Sequence, residues 1–131
     1  MMKRVEVVCA VIKDNDKYFC CMRGPGRALA YKWEFPGGKV EPHESKEHAL
    51  IREIKEELET EIMVGDLIDM IEYDYPTFHL SMDCFWCEAL EGALKLLEAE
   101  SARWLTKDTL YDVQWLPADI MLVDEIEKQM E

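Results

Sequence analysis

Nowhere in this chain does an apolar run approach the roughly 18–20 residues that span a bilayer, so no transmembrane helix is expected. Positive charge is scarce too: 15 Lys and Arg stand against 28 Asp and Glu, a formal charge of −13. Binding to a nucleic-acid polymer needs a basic surface, so no such partner is expected. A small phosphate ligand is still allowed, because a divalent cation held by carboxylates inverts the local sign. Met1-Met2-Lys3-Arg4-Val5-Glu6 has positive residues but no sustained apolar stretch and no small-residue cleavage site. No signal peptide is therefore expected, and a cytoplasmic location is the default, with no membrane partner and no oligomer required.

A disulfide framework is excluded on similar grounds. The five cysteines, Cys9, Cys20, Cys21, Cys84 and Cys87, are odd in number and lack a secretory signal. Cys84-Phe85-Trp86-Cys87 has the spacing of a redox or zinc pair, yet it falls in a strand-like stretch. There, positions three apart face opposite sides of a sheet, and no second Cys/His pair accompanies them. Ordinary small thiols are expected.

What is present suits one compact domain over residues 1–131, with about half the residues apolar. There is no internal repeat, low-complexity segment or linker. Val5 to Lys13 and Lys17 to Met22 read as a hairpin about Asp14-Asn15-Asp16. A turn-rich loop follows to Leu29; Tyr31, Trp33 and Phe35 then alternate onto one face of a strand that Pro36-Gly37-Gly38 stops. Ser45 caps a helix to about Glu59, with Leu50, Ile51, Ile54 and Leu58 on one stripe. Ile62 to Tyr75 and Thr77 to Glu88 read as strands parted at Pro76. Leu94 to Leu97 and Ala102 to Leu105 are further short strands, and Pro117 opens a last helix to about Met130. The order predicts an α+β fold.

Seven acidic residues lie between Glu44 and Glu61. At about 100° per residue, Glu53, Glu56 and Glu57 share one arc of roughly 100° beside the apolar stripe. Like charges at these spacings destabilise a helix, and burial raises the cost unless a cation neutralises it. Clustered hard oxygens suit Mg²⁺ or Mn²⁺, which bridge to phosphates and lower the pKa of bound water. The plainer reading is a solvated helix in which Lys46, Arg52 and Lys55 pair with the glutamates.

The residues ahead of the helix favour the first reading. Gly38-Lys-Val-Glu-Pro-His-Glu44, seven residues, then Arg52-Glu53-Ile54-Lys55-Glu56-Glu57-Leu58 resembles the Nudix box, G-x5-E-x7-R-E-U-x-E-E-x-G-U. Every charged position matches over about 38–60; the terminal glycine and aliphatic residue are replaced by Glu59 and Thr60, which predicts a changed helix end. The resemblance extends over nearly the whole chain and narrows to the MutT-like branch. It implies a Nudix fold, a mixed sheet sandwiched between helices, around a catalytic strand–loop–helix.

It further implies a Mg²⁺- or Mn²⁺-dependent nucleoside triphosphate pyrophosphohydrolase, acting on CTP- or dCTP-like or oxidised nucleotides. By the resemblance Glu53, Glu56 and Glu57 bind the metal with a backbone carbonyl of Gly37 or Gly38. Glu98 is a further ligand or the base, Arg52 orients Glu53 or Glu56, and Glu44 braces the loop. Arg23 and Lys39 bring positive charge to the phosphates. Phe35 and Asp119 hold the base, with Tyr73, Tyr75 and Phe78 as pocket walls. Each has a bland counterpart: Glu98 as a surface residue, Phe35 and the tyrosines as core, and Asp119 as a helix-dipole partner. His43, His48 and His79 read as structural or solvated. Two other activities are expected at lower weight, a hydrolase of another nucleoside diphosphate derivative such as a nucleotide sugar, and a noncatalytic nucleotide sensor.

Overall fold

The computed structural model describes residues 3–91 and 99–129. The strand expected at Leu94 to Leu97, and Glu98, lie outside these residues. Strand β1 (Lys3–Asp14) sends Val8, Ala10 and Ile12 into one core and Cys9 and Val11 into another. That alternation is the period of a strand buried on both faces. Beside it, β2 (Lys17–Arg23) divides likewise, with Tyr18 and Cys20 on one side and Phe19 and Cys21 on the other.

Short strands β3 (Trp33–Glu34) and β4 (Gly37–Lys39) come next, then helix α1 (Lys46–Leu58), the long strands β5 (Glu61–Tyr75) and β6 (Phe78–Glu91), β7 (Ala99–Thr106), and helix α2 (Pro117–Gln129). The main path of the sheet is β3-β2-β1-β6-β5, with β4 paired to β1 and β7 to β2. The β1–β6 pairing is parallel and the other strand pairings are antiparallel. Ala49, Leu50, Ile54 and Leu58 of α1 cover one face; Ala118, Leu122, Val123 and Ile126 of α2 cover the other. Each buried Leu or Ile contributes about 1.5–3 kcal/mol. A 3₁₀ turn, Lys107–Asp112, which the sequence pattern does not signal, leads into α2.

All five cysteines are free and buried; Cys84 belongs to the α2-side core and Cys87 to the α1-side core. The alternation of β6 thus separates the two thiols, as expected.

Two local expectations need correction. Tyr31 to Phe35 is not a continuous strand, since β3 holds only Trp33 and Glu34. Leu29 and Tyr31 take left-handed φ values of 55° and 68°, which turn the chain and leave Tyr31 exposed while Phe35 is buried. Trp33 is held instead by tertiary bonds, its N–H to Gln114 O (2.8 Å) and its carbonyl to Leu116 N (2.9 Å). The second correction is at the end of α1, where Glu59 itself adopts the left-handed cap (φ 51°, ψ 38°) and donates its N–H to Lys55 O. The helix ends as a glycine would end it, at a conformational cost of about 1–2 kcal/mol. Ser45 caps the other end, its hydroxyl accepting from His48 N at 3.1 Å.

Where β4 meets β1 the backbones are in contact, and a Cβ on Gly37 would strike the Val8 carbonyl oxygen and come within 2.9 Å of Cys9 Cα. Gly37→Ala is therefore expected to destabilise the protein by about 1–3 kcal/mol or more. A lowered urea midpoint with an unchanged m value would register it, and an unchanged midpoint would contradict the contact.

Candidate functional site

The site forms where β4, the loop after it and α1 converge. β4 is pinned to β1 by the pairs Val7 with Lys39, Val8 with Gly38 and Cys9 with Gly37. On its other side a Cβ at Gly38 would enter the Glu53 carboxylate. Only glycine lets the main chain approach Glu53 so closely.

Arg52 organises the acidic residues. Its Nε and Nη2 donate to the two Glu44 oxygens at 2.8 and 2.9 Å, a bidentate pair. Nη2 also reaches Lys39 O (3.1 Å), and Nη1 is shared between Glu53 (2.9 Å) and Glu56 (3.3 Å). Glu44 is only 7% exposed at its side chain and accepts further bonds from Glu41 N and His48. Arg52 above all holds its carboxyl down to about 2. Burial raises the Glu53 carboxyl above its usual range, and Arg52 opposes the shift. Glu56 is 60% exposed at its side chain, and Glu57 is half-buried, with its charge reaching the buried Cys21 thiol.

Among the described residues no three His, Cys, Asp or Glu side chains are gathered closely enough to hold a metal as they stand. The donor set nevertheless suits a hard divalent cation: carboxylates on one helix arc, one raised by burial, against a bare glycine backbone.

A cavity of about 240 Å³ opens beside this seam, and Arg23, Phe35, Gly37, Gly38, Lys39 and Asp119 all line it. Tyr75 lines it as well, whereas Tyr73 and Phe78 stand behind Tyr75, with ring centroids 4.8 and 5.0 Å from it. β-strand alternation puts all three aromatics on one face, and only the hairpin's position over α2 selects Tyr75. The Tyr75 hydroxyl accepts from Ala118 N in the first turn of α2. Phe35 lies with one ring face stacked on Trp115 at 4.7 Å. Sequence reasoning missed Glu34, which lines the cavity and pairs with Arg23 (3.2 Å) and Arg27 (3.3 Å). Its place next to Phe35 in the chain was the available signal. Of the histidines, His48 meets Glu44, and His79 sits between Asp74 and Glu72 away from the cavity.

Asp119 is 5% exposed and accepts a 2.9 Å bond from Phe35 N. Burial pushes its carboxyl up from 3.8 to about 7; Glu34 adds to the shift, and the Phe35 bond and Arg23 oppose it. Because the folded state holds this proton more tightly, Asp119's relative contribution is best at low pH and is lost as pH rises from about 4 towards 7. Asp119→Asn is expected to flatten that part of the stability profile. Urea midpoints for both proteins over this range would show converging curves at the acid end, and parallel curves would refute the shift.

Comparison with known proteins identifies the family. The family model described as NUDIX domain matches residues 7–124. The chain is 32% identical to a CTP pyrophosphohydrolase of Escherichia coli, over 94% of this chain and 91% of that protein. It is 27% identical to an 8-oxo-dGTP diphosphatase of the same organism, over 97% and 99%. Among solved structures, the E. coli ORF135 protein is 30% identical with a TM-score of 0.85, covering 98% of this chain and 92% of that one. A MutT protein of methicillin-resistant Staphylococcus aureus 252 is 36% identical with a TM-score of 0.79, covering 98% and 99%. With the family model matching most of its length and relatives alike in sequence and fold, the chain belongs to the Nudix family.

Proposed function

We propose that the chain, acting as one domain, is a Mg²⁺-dependent pyrophosphohydrolase of nucleoside triphosphates, releasing a nucleoside monophosphate and pyrophosphate. The observation that carries this reading is one cavity lined both by Gly38, which faces Glu53, and by Phe35 and Asp119. A nucleotide laid along it would have its phosphates at the acidic helix and its base at Asp119. Nudix hydrolases are in general divalent-metal dependent.

Glu53, Glu56 and Glu57 would hold the metal with a Gly37 or Gly38 carbonyl. When bound, Mg²⁺ neutralises triphosphate charge and lowers the pKa of a water. Arg52 keeps Glu53 oriented while Glu44 anchors Arg52 to the loop. Arg23 and Lys39 add positive charge beside the phosphates. Glu98, assigned by the family resemblance, would be a further ligand or the base that takes the proton of the attacking water. Water adds to a bridging phosphorus as the bond to the leaving phosphate oxygen breaks.

CTP-like and oxidised purine triphosphates are the substrates this reading favours, on the names of the relatives and on the chemistry of Asp119. A protonated Asp119 offers one donor and one acceptor, matching the N3 and N4 edge of cytosine. An ionised Asp119 offers two acceptors, matching the N1–H and N2–H edge of a guanine. With its carboxyl near 7, Asp119 presents both forms close to neutrality.

A panel of triphosphates assayed with Mg²⁺ for pyrophosphate release tests the activity. Glu57→Gln is expected to lose about 100-fold or more in kcat; an undiminished variant, or no pyrophosphate from any substrate, would defeat the reading. The kcat/KM ratio of CTP to 8-oxo-dGTP is expected to fall as pH rises through 7. Asp119→Asn, with one donor and one acceptor at every pH, should remove that dependence.

A further inference from the structure

The loop between β2 and β3 carries a guanidinium for which the reading above has no task. Backbone bonds close the loop at its base, Arg23 N to Lys32 O and Tyr31 N to Arg23 O, each 2.9 Å. Inside it, Arg23 commits Nη1 to Ala28 O (2.9 Å) and Nε to Glu34 (3.2 Å). Arg27 has one described partner, Glu34 Oε2 at 3.3 Å through a single nitrogen, and its side chain is 44% exposed. Both Arg27 and Leu29 line the cavity.

Charge counting leaves the cavity lining with more cations than anions. The charged residues lining the cavity are Arg23, Arg27 and Lys39 against Glu34 and Asp119. Glu34 is already shared with Arg23, so Arg27 leaves this corner positive in a chain of net charge −13. Arg27 lines the same cavity as Asp119 and as Gly38, the glycine whose backbone meets Glu53 of the acidic helix. The loop turns at Gly26 (φ 91°) and sustains left-handed φ at Leu29 (55°) and Tyr31 (68°), strain that persists only where the surroundings enforce it.

We propose that Arg27 is a phosphate-binding residue of the substrate site, its guanidinium leaving Glu34 for a phosphate oxygen while Arg23 remains bridged to Glu34 and Ala28. An exposed single-point pair with a carboxylate is weak, whereas a guanidinium on phosphate bonds bidentately and more strongly. The exchange costs little because Arg23 keeps Glu34 neutralised. This inference rests on the nucleotide reading of the cavity.

Calorimetric titration of the whole chain with inorganic tripolyphosphate in Mg²⁺ buffer tests it without reference to the base. Arg27→Ala is expected to weaken binding by about tenfold and Arg27→Lys by less, with thermal midpoints matching the parent protein. In steady state the Arg27→Ala loss should fall on KM for the triphosphate, and affinity for the bare nucleoside should not change. Undiminished tripolyphosphate affinity in Arg27→Ala, or an equal loss of nucleoside affinity, would overturn the proposal. A parent protein that binds tripolyphosphate in an Arg27-dependent way but hydrolyses no triphosphate would sustain Arg27's role and defeat the pyrophosphohydrolase reading.

Discussion

The bidentate pair between Arg52 and Glu44 is the interaction on which the site depends. One guanidinium joins three pieces of chain: the loop at Glu44, the end of β4 at the Lys39 carbonyl, and α1 at Glu53 and Glu56. Without it, Glu44 would be a nearly buried carboxylate with no guanidinium, and Glu53 would lose the charge that offsets its burial. The pair therefore does two things at once. It fixes the loop between β4 and α1, and it keeps a row of like charges tolerable before any metal arrives.

That loop is in turn fixed by the sheet behind it. β4 lies so close to β1 that glycine is required at Gly37 against the Val8 backbone, and on its other side Gly38 lies against the Glu53 carboxylate of α1. α1 is held by its apolar stripe in the core on that face, and α2 by its own stripe on the opposite face. The cavity draws on both: Gly38 and Lys39 from the α1 side, Asp119 and Leu116 from the α2 side. The central strands thus set the distance between the acidic helix and Asp119.

Much of this was legible along the chain. The helix, its Ser45 cap, its buried stripe and the charged arc follow from spacing, because α-helical geometry is local. The opposite placement of Cys84 and Cys87 follows from strand alternation. Where the reading failed, non-local forces had overridden the local pattern. Tyr31 alternates with Trp33 and Phe35 in sequence, yet left-handed turns and bonds to Gln114 and Leu116 dictate the chain's path there. Glu59 lacks glycine's freedom but takes glycine's conformation, since Leu58 and Thr60 on either side are buried and the chain must turn into β5.

The sequence by itself determined which groups would meet along one helix and one turn: Glu53, Glu56 and Glu57 on an arc, Arg52 beside them, glycines ahead. Fixed backbone periodicity and the steric freedom of glycine suffice for that. Tertiary structure alone decided which distant groups share the cavity. Only packing brings Asp119 onto the Phe35 amide, selects Tyr75 over Tyr73 and Phe78, and puts Glu34 between two arginines. Burial also moved Asp119's proton into the neutral range, because removing a carboxyl from water is a property of the assembled core and not of the residue.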